Sequence, residues 1–120
     1  MTKWMMIFAV VMGAGAALAQ TAQIPDFSDR AKKGQALFLT NCSVCHGDTA
    51  LGTDSGPPLI HFFYRPGHHD DNAIRSAVKN GVEAHHWEYG DMPPVTGISD
   101  AERTSLVAFI RELQRANGIK

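Results

Sequence analysis

Cys42-Ser43-Val44-Cys45-His46 gathers two thiols and an imidazole within five residues. A C-x-x-C-H run is the attachment signature of c-type haem: the thiols add to the two vinyl groups of the porphyrin, and the adjacent imidazole becomes the proximal iron ligand. Two intervening residues place both sulfurs on one side of a helical turn, at a separation that matches the vinyls, and direct the next side chain beneath the metal. Two other chemistries use the same residue types. A disulfide or thioredoxin-like redox pair fits an oxidising compartment, but the strand and helix alternation of a thioredoxin fold is missing and such a pair does not require His46. Structural zinc needs four ligands, and no second cysteine pair exists, although several histidines do.

Met92 supplies an independent indication. Met1, Met5, Met6 and Met12 all fall in the leading apolar stretch, so Met92 is the methionine that remains in the rest of the chain. It sits in Gly90-Asp91-Met92-Pro93-Pro94, 46 residues after His46, a rigid turn suited to holding a thioether opposite the imidazole. A lone methionine is usually core filler on a helix face, a role that the two following prolines rule out. Five further histidines, His61, His68, His69, His85 and His86, leave three uses open. They are solvated or hydrogen-bond to haem propionates, they form a second site for copper or zinc, or one of them replaces Met92 and lowers the potential of the iron.

The elements that must position these groups read as helices separated by turn-rich segments. A first helix runs from Asp29 to about Asn41 with Asp26 or Ser28 as its cap, and its interior Gly34 costs about 1 kcal/mol relative to Ala. Asp71 is positioned to cap a second helix in which Ile74, Ala77 and Val78 share a face, stopped by Asn80-Gly81. Ser99 and Glu102 make a capping box for the last helix. There Leu106, Phe109, Ile110 and Leu113 recur at i, i+3, i+4 and i+7 before Asn117-Gly118. Residues 47–66 and 81–97 lack strand alternation and are rich in Gly, Pro and His, so a large ligand is expected to organise both.

Composition bounds the function. The 120 residues allow a single small domain, and 11 Lys plus Arg against 12 Asp plus Glu lack the basic excess that nucleic-acid binding requires. Lys3, the apolar run Met5 to Leu18 and the Ala17-Leu18-Ala19 site predict an export signal over residues 1–19, too short to span a bilayer. Cleavage leaves residues 20–120, without Lys3 and with a net charge of -2, and no stable membrane insertion is expected. A chain of this length buries only ~60–70% of its unfolded surface, so something must supplement its core.

From about Asp29 to Gly118 the chain resembles a class I bacterial monohaem cytochrome c, on Cys42, Cys45, His46, Met92 and Gly56-Pro57-Pro58-Leu59. The resemblance implies an all-α class I cytochrome c fold, three or more helices wrapped around one covalently attached haem with long irregular loops, over residues 20–120. It implies that the Pro57 carbonyl accepts the other N–H of His46, fixing its tautomer, and that Leu59 packs on the haem. Gly34 and Phe38 match positions where the terminal helices of the family cross closely, here against Leu106 and Phe109. The stretch from Ile60 to Trp87, with its histidine pairs, departs from the family pattern.

The expected function is that of a periplasmic electron carrier rather than an enzyme, its iron cycling between ferric and ferrous states with His46 and Met92 retained. Three alternatives stand beside it: the haem-bearing electron-accepting subunit of a periplasmic oxidoreductase, a catalytic or sensing haem with an open iron position, and a haem protein with an added His-rich copper-binding role. Trp87 and Tyr89 are expected at the haem edge, donating to a propionate. Five acids and no Lys or Arg between Asn80 and Glu102, namely Glu83, Glu88, Asp91, Asp100 and Glu102, suggest redox partner proteins with a basic docking face.

Overall fold

Ser28, Asp70 and Ser99 start the three long helices of the computed structural model, which describes residues 20–120. The export signal expected over residues 1–19 lies outside the described residues. Helix α1 spans Asp29–Asn41, and the Ser28 hydroxyl accepts a hydrogen bond from the Ala31 amide at 3.2 Å. A short helix, α2, follows at Ser43–His46 and carries the second cysteine and the histidine of the C-x-x-C-H run. After a long loop broken by a 3₁₀ turn at Phe62–Tyr64, helix α3 spans Asp71–Asn80 and α4 spans Asp100–Ala116. Among the described residues strand-type pairing is limited to two isolated bridges, Thr53 with Gly56 and Val82 with Met92.

The local signals that set helix ends act as they do because each satisfies an orphan backbone group. At α4 the capping box is complete: Ser99 Oγ accepts from the Glu102 amide at 3.2 Å while Glu102 Oε2 accepts from the Ser99 amide at 2.7 Å. At α3 the cap lies one residue earlier than the sequence suggests. Asp70 accepts from the Ala73 amide at 2.8 Å, which leaves Asp71 in the first turn to meet Arg111 of α4 instead.

Helix α1 packs across α4, and α3 rests on α4 as well. The crossing of α1 over α4 is close because Gly34 has no side chain: a Cβ there would lie 1.9 Å from the Ser105 carbonyl oxygen and 2.9 Å from Phe109 Cβ. The contact is filled by Phe27, Ala31 and Phe38 against Leu106, Phe109 and Leu113, with Phe109 5.2 Å from the ring of Phe27 and 5.1 Å from that of Phe38. The chain ahead of α1 is tied down too. Glu112 accepts from both the amide and the hydroxyl of Ser28, and Asn117 pairs with the Gln23 backbone in both directions. Burial alone would raise the Glu112 carboxyl, but the two Ser28 bonds and the Arg115 charge hold it below the ordinary range.

Candidate functional site

The three helices and the two long loops enclose a cavity of about 540 Å³ whose wall is largely apolar, Phe38, Leu106 and Ile110 among it. Cys42, His46, Pro57, Leu59 and Met92 all line it. Cys45 is half-buried on α2 outside the lining, and the exposed Val44 between the cysteines faces away. His46 is buried, and its Nδ1 lies 2.8 Å from the Pro57 carbonyl oxygen. A carbonyl only accepts, so Nδ1 carries the proton and Nε2 keeps its lone pair. Burial holds this imidazole below its ordinary range, with the Pro57 bond opposing, which favours the neutral ligand form.

The thiols are unbridged. Burial, and then the neighbouring Cys45, push Cys42 up to about 11. Reactive redox cysteines show the reverse, a depressed value in an electropositive setting, so the environment of Cys42 speaks against a thioredoxin-like pair.

Met92 is held by backbone. Its amide donates to the Val82 carbonyl and its carbonyl accepts from the Val82 amide, each at 2.9 Å, closing residues 82–92 into a loop. Asp91 braces that loop by accepting from the Ala84 amide at 2.8 Å, and Val95 donates to Val78 at the end of α3. Gly81, at φ 76°, makes the exit from α3, and a Cβ there would stand 2.5 Å from the Met92 carbonyl oxygen.

The loop tip carries His85, His86 and Trp87 onto the 3₁₀ turn. Phe63 stacks on His86 at 4.5 Å, His61 meets Phe63 and Trp87 edge-on, and Trp87 Nε1 donates to the Tyr64 hydroxyl at 3.0 Å. Trp87 thus lines the cavity with its N–H engaged by Tyr64 rather than directed to a haem propionate. Tyr89 lines the cavity as well and is 42% exposed. The acid-rich stretch is reduced in the fold. Asp100 pairs with Arg103, Glu102 is held in the capping box and Asp91 braces its loop, leaving Glu83 and Glu88 as exposed acids there without such an engagement among the described residues.

Residues that the sequence does not single out hold the other side of the site. Arg111, 6% exposed on α4, donates from Nε to Asp71 and from Nη1 to the Tyr64 carbonyl and Gln114 Oε1, each at 2.7 Å, and from Nη2 to the His69 carbonyl. Gln114 Nε2 donates to the Leu59 and Tyr64 carbonyls at 2.9 and 3.1 Å. Arg103, Val107, Arg111 and Gln114 form a stripe beside the apolar face of α4, and that spacing is the one signal for them in the sequence.

The cytochrome c family model matches residues 31–114, which covers all but the outer two residues of each helix in the α1/α4 crossing and every residue of the cavity named above. The chain belongs to the cytochrome c family. Its solved relatives include cytochrome cL from the marine methylotrophic bacterium Methylophaga aminisulfidivorans MPT, with 26% sequence identity and a TM-score of 0.55. That match covers 71% of this cytochrome and 53% of cytochrome cL, so the chain spans about half the length of that relative. No curated protein matches this cytochrome. The fold is accordingly the all-α cytochrome c fold, and the family implies a covalently bound c-type haem, electron transfer and work with redox partner proteins.

The residues fit that group. An apolar cavity within the ~300–1,000 Å³ range of ligand sites contains one thiol, one imidazole with Nε2 available and one thioether, the donor types that attach and ligate c-type haem. Among the described residues no helix is long and apolar enough to cross a membrane.

Proposed function

We propose that this cytochrome is a periplasmic one-electron carrier in which Cys42 and Cys45 would hold a single haem and His46 and Met92 would ligate its iron. The observation that carries the reading is the convergence of Cys42, His46 and Met92 on one apolar cavity, with His46 Nδ1 committed to Pro57. Bound c-type haem supplies reversible ferric–ferrous chemistry, and His with Met ligation places it toward high potential. The chain supplies the rest. Pro57 fixes the tautomer and orientation of His46, the Val82 bridge fixes the backbone of Met92, and Leu59, Leu106 and Ile110 supply an apolar wall that would limit water around a bound haem. No proton needs to move at any of these atoms, which suits a carrier better than a catalyst.

Absorption spectra of the oxidised and reduced protein test the assignment. A thioether-linked haem spectrum with the weak long-wavelength band of sulfur-ligated ferric iron is expected, and a His46→Ala or Met92→Ala protein should lose that band. A colourless chain from cells with intact haem-maturation machinery would overturn the reading. Ready binding of carbon monoxide by the ferrous protein at neutral pH would point to an open iron position and a catalytic or sensing role. Export is read from the sequence signal, and a mature N-terminus at Gln20 is the expected outcome. The exposed Glu83 and Glu88 beside the Met92 loop suit a basic partner, so electron-transfer rates should fall as salt rises and fall further in a Glu83→Gln/Glu88→Gln protein.

A further inference from the structure

Three of the histidines outside the haem assignment come together at the rim of the cavity. One ligand atom each from His68, His69 and His86 lies within 4.8 Å of the other two. His68 Nε2 and His86 Nε2 are 3.2 Å apart. Two nitrogens bound at about 2.0–2.1 Å to one tetrahedral ion sit about 3.3 Å from each other, so this pair already has the spacing of ligands on a shared metal. His69 donates from Nδ1 to the Phe63 carbonyl at 2.6 Å, which leaves Nε2 as the nitrogen it can offer. An outer N–H held by a backbone carbonyl is the usual support of a metal-binding imidazole.

The group is built rather than accidental in its placement. His68 and His69 ride on a tight turn whose amides both donate to the Arg65 carbonyl, at 3.0 and 2.9 Å, and Arg111 holds the His69 carbonyl from α4. His86 comes from the other loop and is pinned by its stack on Phe63.

We propose that His68, His69 and His86 form a second metal site, a three-imidazole centre with an open fourth position for Zn²⁺ or Cu²⁺, joining the loop after the 3₁₀ turn to the loop that carries Met92. Imidazole ligands suit both ions, whereas calcium and magnesium prefer oxygen. His85 and His61 stand beside the group, His85 turned to the Glu83 carbonyl and His61 packed on Trp87. His69 and His86 also line the cavity, so occupancy would clamp the Met92 loop at the cavity wall without replacing Met92.

The test uses untagged, haem-loaded protein. Calorimetric titration with Zn²⁺ should show saturable binding of one equivalent, and Cu²⁺ in the same protein should give an electron paramagnetic resonance spectrum split by nitrogen ligands. His68→Ala, at an exposed position, and His86→Ala should each weaken Zn²⁺ binding by at least about 100-fold, the upper end of what loss of a supporting residue costs. Their haem spectra should stay unchanged, which also shows that the variants fold. Absence of Zn²⁺ binding to the parent protein, or binding indifferent to both substitutions, would overturn the site. So would a change of axial ligation in either variant, because it would assign that histidine to the iron. The haem spectrum is recorded on each sample, so failure of the haem assignment and failure of the metal site are distinguishable.

Discussion

At the scale of single residues, the site is held as much by Arg111 as by the side chains that face the cavity. Its guanidinium is almost fully covered and satisfies Asp71, two backbone carbonyls and Gln114 at once. Replacing it with Met keeps much of the volume but leaves the His69 carbonyl and Gln114 Oε1 without a donor in a poorly hydrated place. Asp71 is exposed enough to be resolvated, so Arg111→Met is expected to destabilise the fold by about 2–6 kcal/mol, at about 1–3 kcal/mol for each of the two acceptors left unpaired. Arg111→Lys should recover only part of that, because a point charge cannot serve a planar fork of partners. Chemical denaturation of the three proteins checks the order, and a Met variant as stable as the parent would show that the network contributes nothing. The contrast with His46 shows what the sequence makes legible. The C-x-x-C-H spacing is local, so it identifies His46 by itself, whereas a lone Arg beside an apolar stripe reads as solvated edge. Its partners Asp71 and the Tyr64 carbonyl lie 40 and 47 positions away, and only the fold brings them to it.

At the scale of elements, helix ends are legible because caps act over three or four residues: the Ser99–Glu102 box stands where the sequence puts it, and of the two candidates Asp26 and Ser28 it is Ser28 that caps α1. The cap of α3 is displaced to Asp70 because two adjacent aspartates compete for one position, and Arg111 decides the matter by taking Asp71. The 3₁₀ turn at Phe62–Tyr64 is too short to carry a periodic pattern and is fixed by aromatic contacts from the other loop. Gly34 is the sharpest case of tertiary packing overriding local preference. An isolated helix would gain about 1 kcal/mol from Gly→Ala. Here the added methyl would overlap the Ser105 carbonyl at 1.9 Å, an atom of rigid helical backbone that cannot step aside. Helix α1 must therefore lift from α4, and Gly34→Ala is expected to cost about 3 kcal/mol or more. With roughly 4–8 °C lost per kcal/mol in a domain of this size, the melting temperature should fall by about 12–24 °C. Thermal circular dichroism checks it, and a rise in melting temperature would mean that propensity wins and the crossing is looser than described.

At the scale of the whole molecule, the long loops that carry no secondary-structure signal make sense once the cavity is counted as part of the core. The buried side chains Phe38, Leu106 and Ile110 point into it from the helices, while residues 57–59 and 82–92 reach it from the loops. Periodicity cannot reveal loops that are ordered against a ligand, because their partner is not in the sequence, and only the compositional oddity of Gly, Pro and His marks them. At about 24 cal/mol per Å³, leaving some 540 Å³ unfilled would cost on the order of 10 kcal/mol. That is comparable to the entire 5–15 kcal/mol by which a small domain is stable, and water entering the open side offsets only part of it. The haem is therefore expected to be structural as well as redox-active. A Cys42→Ala/Cys45→Ala protein, produced without haem, should show weak helical signal and no cooperative melting transition, while the parent melts sharply. Stripping divalent metal from the parent with a chelator should leave its helical signal and its cooperative transition intact, since the three histidines join two loops at the rim and the helices pack without them. A haem-free double variant with native helicity and a sharp transition would show that the α1/α4 contact suffices alone, and that the cavity closes when nothing fills it.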